Sequence, residues 1–353
     1  MPNKPLVSVI VPAYNAEQTL EKCVNSLTAQ TCRALEVIVV NDCSTDGTLA
    51  LAQRLAAADD RVRALSTPQN GGPSQARNFG MAQARGRWIA FCDSDDHLEP
   101  QTYEAALAAA EANDADCVLW SYASEYGETK KEKHLFDGNR VLTNSELFLC
   151  ILGPAGERLA HPEFIHSFSP LWNKLFKTEI IRANGLTIRE IKEIGIEDLF
   201  FCAEYAAACE PAGKSVYLDR CFYHYVKGSD ASVSAKHRPD YAALIRLLHN
   251  ELDSLCAGRA DEAQGLLAVN NRRALCLINV GLNELAANDG ARAVCKRLKK
   301  ELSEPQTAQA LRQLDFHFLP PKWKAFFGCA RLRCAFLLYC LLRAMQKLMA
   351  KHD

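Results

Sequence analysis

The sequence predicts an α/β fold, a mostly parallel sheet covered on both faces, followed by a C-terminal helical appendage. Three observations carry this prediction. Strand-like and helix-like stretches alternate four times at short spacing before residue 96, the pattern of parallel strands joined by crossover helices. The strands are continuous apolar runs, as expected of strands buried on both faces. Beyond Pro239 the apolar spacing becomes wholly helical. The pattern divides the chain into an α/β domain over 1–235, a helical appendage over 236–318 and a basic amphipathic tail over 319–353.

Taken in order, Leu6 to Val11 (LVSVIV) is apolar and β-branched and stops at Pro12, which predicts a buried strand and then a loop. Glu17 to Leu27 places Leu20, Val24 and Leu27 on one helical face. Leu35 to Val40 (LEVIVV) is the second strand and ends in Asn41-Asp42-Cys43-Ser44-Thr45-Asp46-Gly47, a loop rich in capping residues ahead of a helix over Thr48 to Ala58. Val62 to Leu65 is a third strand, Asn70-Gly71-Gly72-Pro73 a turn, and Ser74 to Ala84 a helix that Gly86 ends. Trp88 to Cys92 is the fourth strand and runs into Asp93-Ser94-Asp95-Asp96. A helix over Gln101 to Asn113, a strand over Asp116 to Tyr122, a polar hairpin or flap over Tyr126 to Asp137 and a helix over Thr178 to Ala183 follow. Glu197 and Asp198 open an apolar helix, and Cys221 to Val226 (CFYHYV) reads as an aromatic strand. Ligands of such sheets collect at the carboxyl ends of the strands. The loops at Pro12 to Asn15, Asn41 to Asp46, Asn70 to Gly72 and Asp93 to Asp96 are therefore expected on one rim.

With 353 residues the chain can bury a full core, and a net charge of −1 gives no globally basic surface for nucleic acid. The 15 cysteines are scattered without a CxxC pair, which together with a start lacking a signal-peptide core points to a reducing cytoplasm. No apolar run reaches the roughly 18–20 residues of a spanning helix.

The acidic loop is the most informative stretch. Three carboxylates within four residues of a buried strand need a cation, and hard oxygen donors suit Mg²⁺ or Mn²⁺ carrying substrate phosphates. The plainer alternative is that Asp96 caps a helix beginning near Pro100.

Four stretches then resemble a family-2 inverting glycosyltransferase of the GT-A (Rossmann-like) fold: Val7 to Asn15 (VSVIVPAYN), Val39 to Thr48 (VVNDCSTDGT), Asn70 to Asn78 (NGGPSQARN) and the acidic loop. The resemblance covers about residues 5–230, and four motifs in order make it specific. It implies that Pro12, Tyr14 and Asn15 form part of a nucleotide-binding loop, with Tyr14 packed on the base and Asp42 accepting the imide N–H of a uracil or thymine. Arg77 is implied at the nucleotide oxygens, beside the amino end of its helix. Asp95 is implied as the direct metal ligand and Asp93 as directed at the ribose or the metal's waters. An inverting transfer also needs a base, which the resemblance puts in the Glu197-Asp198 pair, Asp198 taking the proton and Glu197 orienting. His224 would complete the metal shell or touch the diphosphate, and Lys227, Ser229 and Ser232 would close over it. Trp172 and Lys174 resemble an acceptor-side segment. Structural alternatives stand beside several of these: a strand-end cap for Asp42, a surface ion pair for Arg77, acids placed for the helix dipole at Glu197 and Asp198, and core packing for His224 and Trp172. The chain departs from the family pattern at Asn41, where many members carry Asp, and at Cys43, where Gly is common.

The expectation is thus a metal-dependent hexosyl- or N-acetylhexosaminyl-transferase acting from a UDP-sugar on a surface glycan or lipid-linked acceptor. Rival readings are a sugar nucleotidyltransferase, which would carry a Gly- and Lys/Arg-rich loop after the first strand, and a non-catalytic nucleotide-sugar-binding subunit or membrane scaffold. The tail interleaves Arg331, Arg333, Arg343, Lys347 and Lys351 with large apolar residues. That composition suits a helix lying on the inner face of the cell membrane, a peripheral attachment, or else a final helix docked on the appendage.

Overall fold

The computed structural model describes residues 4–227, 237–287 and 289–349. The chain forms two compact units, one of Met1–Leu147, Ser169–Ile191 and Glu197–Gly228, the other of Phe148–Phe168, Lys192–Ile196 and Ser229–Asp353.

In chain order the first unit begins β1 (Val7–Ala13), α1 (Leu20–Thr28), β2 (Leu35–Asn41), α2 (Thr48–Ala58), β3 (Val62–Ser66), α3 (Gly72–Gln83) and β4 (Trp88–Phe91). It continues with β5 (His97–Leu98), α4 (Thr102–Asn113), β6 (Ala115–Tyr126), β7 (Thr129–Lys133) and β8 (Arg140–Thr143). After α5 (Asn144–Leu152), most of which belongs to the second unit, come β9 (Lys174–Lys177), α6 (Thr178–Ala183), α7 (Ile191–Ile194), also largely of the second unit, then α8 (Glu197–Ala208) and β10 (Lys214–Lys227). The sheet runs β3-β2-β1-β4-β9-β6-β10-β5, with β7 added on β6 and β8 on β10.

The first four strands are parallel, in the order their connecting helices require. β9 then pairs antiparallel with both β4 and β6, so the parallel pairing of this mixed sheet is concentrated in the amino-terminal half and in the β6–β10 pair. β1 and β2 are almost wholly buried. Glu36, the one acid inside the apolar run of β2, is satisfied there by the Ser8 hydroxyl and the Arg85 guanidinium. Gly80 faces this sheet from α3: a Cβ there would stand 2.6 Å from Ile10 Cγ2 and 3.2 Å from Val40 Cγ2. The glycine lets α3 ride unusually close to β1 and β2.

The second unit is helical: α9 (Tyr241–Cys256), α10 (Glu262–Leu275), α11 (Leu277–Ala286), α12 (Ala291–Ser303), α13 (Pro305–Gln313), α14 (Pro321–Arg331) and α15 (Ala335–Met349). Its buried Arg272 donates to the carbonyls of Ile151, Leu152 and Ile165, which draws residues 148–168 into the bundle. α15 packs on α11, α12 and α14 through buried Leu338 and Leu342. Its outer side exposes Phe336, Leu337 and Leu348, beside exposed Leu332 and the basic Arg333, Arg343 and Lys347. No helix of the described residues is long and apolar enough to cross a membrane.

Candidate active site

The four loops expected on one rim do meet. Asn15, in the left-handed region at φ 49°, follows β1 and accepts from the Thr45 backbone N–H at 2.8 Å, while its own N–H reaches Ser44 Oγ at 3.0 Å. Pro12 lies in β1 opposite Val40. Tyr14 stands 52 % exposed between these segments, an open ring at the strand ends.

Asp42 ties this pair of loops to the third. Its carboxylate accepts from the Gly71 N–H at 3.0 Å, the Gly72 N–H at 2.7 Å and the Thr67 hydroxyl at 2.7 Å. The helix it serves is therefore α3 rather than α2, whose cap is Gly47. These donors fill most of the roughly four lone-pair sites of a carboxylate. They also satisfy the first amides of α3, so the amino end of that helix holds Asp42. Asn41 donates to Ser66 and accepts from the Ser44 N–H. Cys43 occupies φ 53°, a left-handed conformation in which a glycine would be unstrained.

From α3, Arg77 reaches into the rim. It is 6 % exposed and pairs with Asp93 at 2.8 Å, Asp198 at 3.5 Å and Glu197 at 3.6 Å. Burial would loosen its proton, but the charges of Asp93, Asp198 and Glu197 outweigh burial and raise its pKa. A surface ion pair does not describe this residue; it gathers three acids from two places in the chain. Asn78 and Gln75, on the same helix, hold the segment leading toward α8: Asn78 exchanges two bonds with Ile188, and Gln75 donates to Glu190.

Glu197 and Asp198 occupy the first turn of α8. Burial, then the neighbouring Asp198 charge, pushes Glu197 up to about 7. Burial also raises Asp198, against the pull of Arg77, and its carboxylate accepts the Leu171 N–H. Lys174 lies fully buried nearby, its Nζ donating to the Pro170 carbonyl and to Asn173 Oδ1, and its charge also opposes protonation of Asp198.

In the acidic loop the three carboxylates have separate fates. Asp93 belongs to Arg77. Asp96 accepts from the Tyr223 hydroxyl at 2.6 Å and the Val226 N–H at 2.8 Å, and burial followed by the Asp93 charge lifts it to about 9. It does not cap α4, whose Gln101 cap makes no side-chain bond. Asp95 meets no other side chain among the described residues; burial and the Asp93 charge raise it.

His224 is placed differently from the expectation. Its ring nitrogens face Glu125 at 2.8 Å and Glu99 at 2.9 Å, and among the described residues its ligand atoms converge with those of His97 and Glu125, not with Asp95. The reason is strand alternation in β10. Tyr223 and Tyr225 turn toward Trp172, with ring centroids at 4.2 and 5.8 Å, and His224 points to the other side. Trp172 is buried in this aromatic stack. Lys227 covers the Tyr126 ring, while Ser229 and Ser232 lie outside the described residues. Tyr223 is the site residue that pattern reading missed: its hydroxyl accepts from the Asp93 N–H and donates to Asp96, fixing the loop from below. Its two-residue spacing from Tyr225 in CFYHYV is the only sequence sign of that orientation.

The chain is similar in sequence and in fold to known glycosyltransferases. Residues 8–178 match the family described as glycosyl transferase family 2. The uncharacterized glycosyltransferase EpsJ of Bacillus subtilis is 29% identical over 323 residues, covering 88% of each chain. YibD of Escherichia coli, also described as an uncharacterized glycosyltransferase, is 31% identical over 66% of this chain and 64% of its own length. The poly(ribitol-phosphate) β-N-acetylglucosaminyltransferase TarS of Staphylococcus aureus is 27% identical over 75% of this chain, which spans 44% of the TarS length. A crystal structure of TarS residues 1–349 with UDP-GlcNAc superposes with a TM-score of 0.67 at 20% identity, covering 97% of this chain and 91% of that one.

Proposed function

This chain carries a family 2 glycosyltransferase domain of GT-A fold, and on that premise we propose that it transfers a hexosyl or N-acetylhexosaminyl group from a UDP-sugar, with inversion, to a hydroxyl of a surface glycan or lipid-linked acceptor. The observation that carries this reading is the buried Arg77, which joins Asp93 of the acidic loop to the Glu197-Asp198 pair. A donor side and a proton-accepting side thereby share one rim.

A UDP donor is supported by the fold shared with TarS, whose structures contain UDP-GlcNAc and UDP. Exposed Tyr14 offers a ring for the base, with Pro12 and Asn15 shaping the loop and Asp42 bracing the glycine turn beside it. Imide recognition by Asp42 would draw on lone pairs it already shares with Gly71, Gly72 and Thr67. Asp95, unpaired by any side chain among the described residues and raised by burial and then by the Asp93 charge, fits a hard divalent cation such as Mg²⁺ or Mn²⁺. When bound, such a cation supplies Lewis-acid neutralisation of the departing diphosphate.

The chain's own residues supply the rest. Asp198 takes the proton of the acceptor hydroxyl as its oxygen bonds to the anomeric carbon, on the face opposite the bond to UDP that breaks. Glu197 keeps the local charge high enough for Asp198 to hold that proton, and Arg77 keeps the two acids from being repelled apart. Asp198→Asn should lower kcat about 10²–10⁴-fold while UDP affinity changes less than about threefold. Asp95→Asn should abolish the dependence of turnover on added Mg²⁺ or Mn²⁺. Near-normal turnover by either variant would overturn the assignment.

Surface-glycan relatives such as TarS support the acceptor class. The apolar ridge of Phe336, Leu337 and Leu348 with its basic flank supports a peripheral seat on the cytoplasmic face of the membrane, supplied by residues 319–353 of a 1–235, 236–318 and 319–353 organisation. Salt-sensitive sedimentation with anionic vesicles should be lost in a Phe336→Ser, Leu337→Ser double variant; unchanged sedimentation removes the membrane from the proposal.

A further inference from the structure

We infer that His97, Glu125 and His224 form a second metal site, for an imidazole-preferring cation such as zinc or iron(II), distinct from the oxygen site at Asp95. One ligand atom from each of the three lies within 4.8 Å of the others. They stand on β5, β6 and β10, three strands adjacent in the sheet, with His224 directly opposite His97. Glu125 lies two residues beyond Ala123, the β6 partner of His224, and so on the same side.

The hydrogen-bond inventory asks for a cation here. Glu99 Oε1 sits 2.9 Å from His224 Nε2, so Glu99 holds the Nε2–H and leaves a lone pair on Nδ1. That Nδ1 is 2.8 Å from Glu125 Oε1, and an imidazole lone pair facing a carboxylate oxygen is two acceptors without a donor. A proton between them would make His224 an imidazolium clamped by two glutamates. His97 favours the metal instead: its Nε2 turns to the other oxygen of Glu125 at 3.9 Å, and its ring, now stacked on His224 with planes 9° from parallel, would turn out of the stack to bring both lone pairs onto one ion. An imidazolium clamp needs no second imidazole aimed at the same carboxylate. Donors at about 2.0–2.2 Å from one ion stand about 3 Å apart, so the His224–Glu125 spacing is already suitable and His97 has about 1 Å to close toward Glu125. Two nitrogens and a carboxylate, with Glu99 orienting one ring from behind, leave room for water as a further ligand and match transition metals rather than Mg²⁺ or Ca²⁺. Bound metal would pin β5, which starts two residues after Asp95, to β6 and β10.

Titration of the full-length protein with Co²⁺, in the absence of nucleotide, should give one equivalent bound with a d–d spectrum of nitrogen and oxygen ligation, displaced by Zn²⁺. His97→Gln and Glu125→Gln should each weaken binding at least tenfold. Asp95→Asn should leave it intact, as should His134→Gln, which alters the exposed Glu132, His134 and Cys221 group. Zn²⁺ should raise the thermal midpoint of the wild type and not that of folded His97→Gln. No cobalt spectrum, binding that survives His97→Gln, or binding lost in Asp95→Asn would each overturn the site. Because Asp95 is dispensable to this test, its failure is separable from failure of the transferase reading.

Discussion

The two halves of the first unit hold their carboxylates by different means. Around β1 to β4, acids are compensated locally: Asp42 by two backbone amides and a hydroxyl, Asp93 by a buried guanidinium. Around β5, β10 and α8 the acids outnumber their compensation. Asp96 has a phenol and an amide, while Glu197 and Asp198 share Arg77 with Asp93 and with each other. The protons follow: Asp96 sits at about 9 and Glu197 at about 7. On the proposed function, the first half binds the donor and the second holds or passes a proton.

The contrast breaks most severely at Arg77, whose ion pairs reach acids of both halves. Arg77→Ala should cost about 3 kcal/mol of unfolding free energy, the low end for a broken buried pair because the acids retain some solvent. Denaturant midpoints at unchanged slope would measure it, and a loss below about 1 kcal/mol would mean the halves are not electrostatically joined. Tyr223→Phe is gentler. Removing a phenol that both donates and accepts should cost about 1–2 kcal/mol and weaken the effect of Asp95 on turnover, because Asp93 and Asp96 lose their common tether.

The smallest and most diagnostic effect is a shift in pH. The Glu197 pKa is raised in the folded chain, so its contribution to stability is fully present below the unfolded value of about 4.3 and is lost as pH rises through about 7. Glu197→Gln should therefore raise the thermal midpoint at pH 8 relative to wild type, with the difference shrinking toward pH 5. The rising limb of kcat/KM should also move to lower pH once Asp198 loses its like-charged neighbour. A limb that stays put would assign it to another group.

After these tests it is plain which parts of the molecule could be read beforehand. β1, β2 and β4 announce themselves as apolar runs, and α2 and α6 begin and end where their patterns do, because burial on both faces and helical spacing are written locally. β5 has two residues and β9 reads KLFK, too short and too charged to register as strand. Lys174 is tolerated inside only because a carbonyl and Asn173 happen to surround it. The acids of the site were visible by type and loop position. Their partners were not: Arg77 meets Asp198 across 121 residues and Tyr223 meets Asp96 across 127, and nothing near either residue encodes that choice. His224 shows the converse: the resemblance implies a metal ligand on a late strand, and the pleat of β10 faces it to Glu125 and Glu99.

Gly80 makes the rim hostage to an apolar seam. A single methyl on its sheet side would collide with Ile10, levering α3 outward one turn from Arg77 and stretching all three of its ion pairs together. Such a lesion would mimic damage to the chemistry while leaving every reactive group in place, which makes the hydrophobic contact under α3 part of the apparatus it supports.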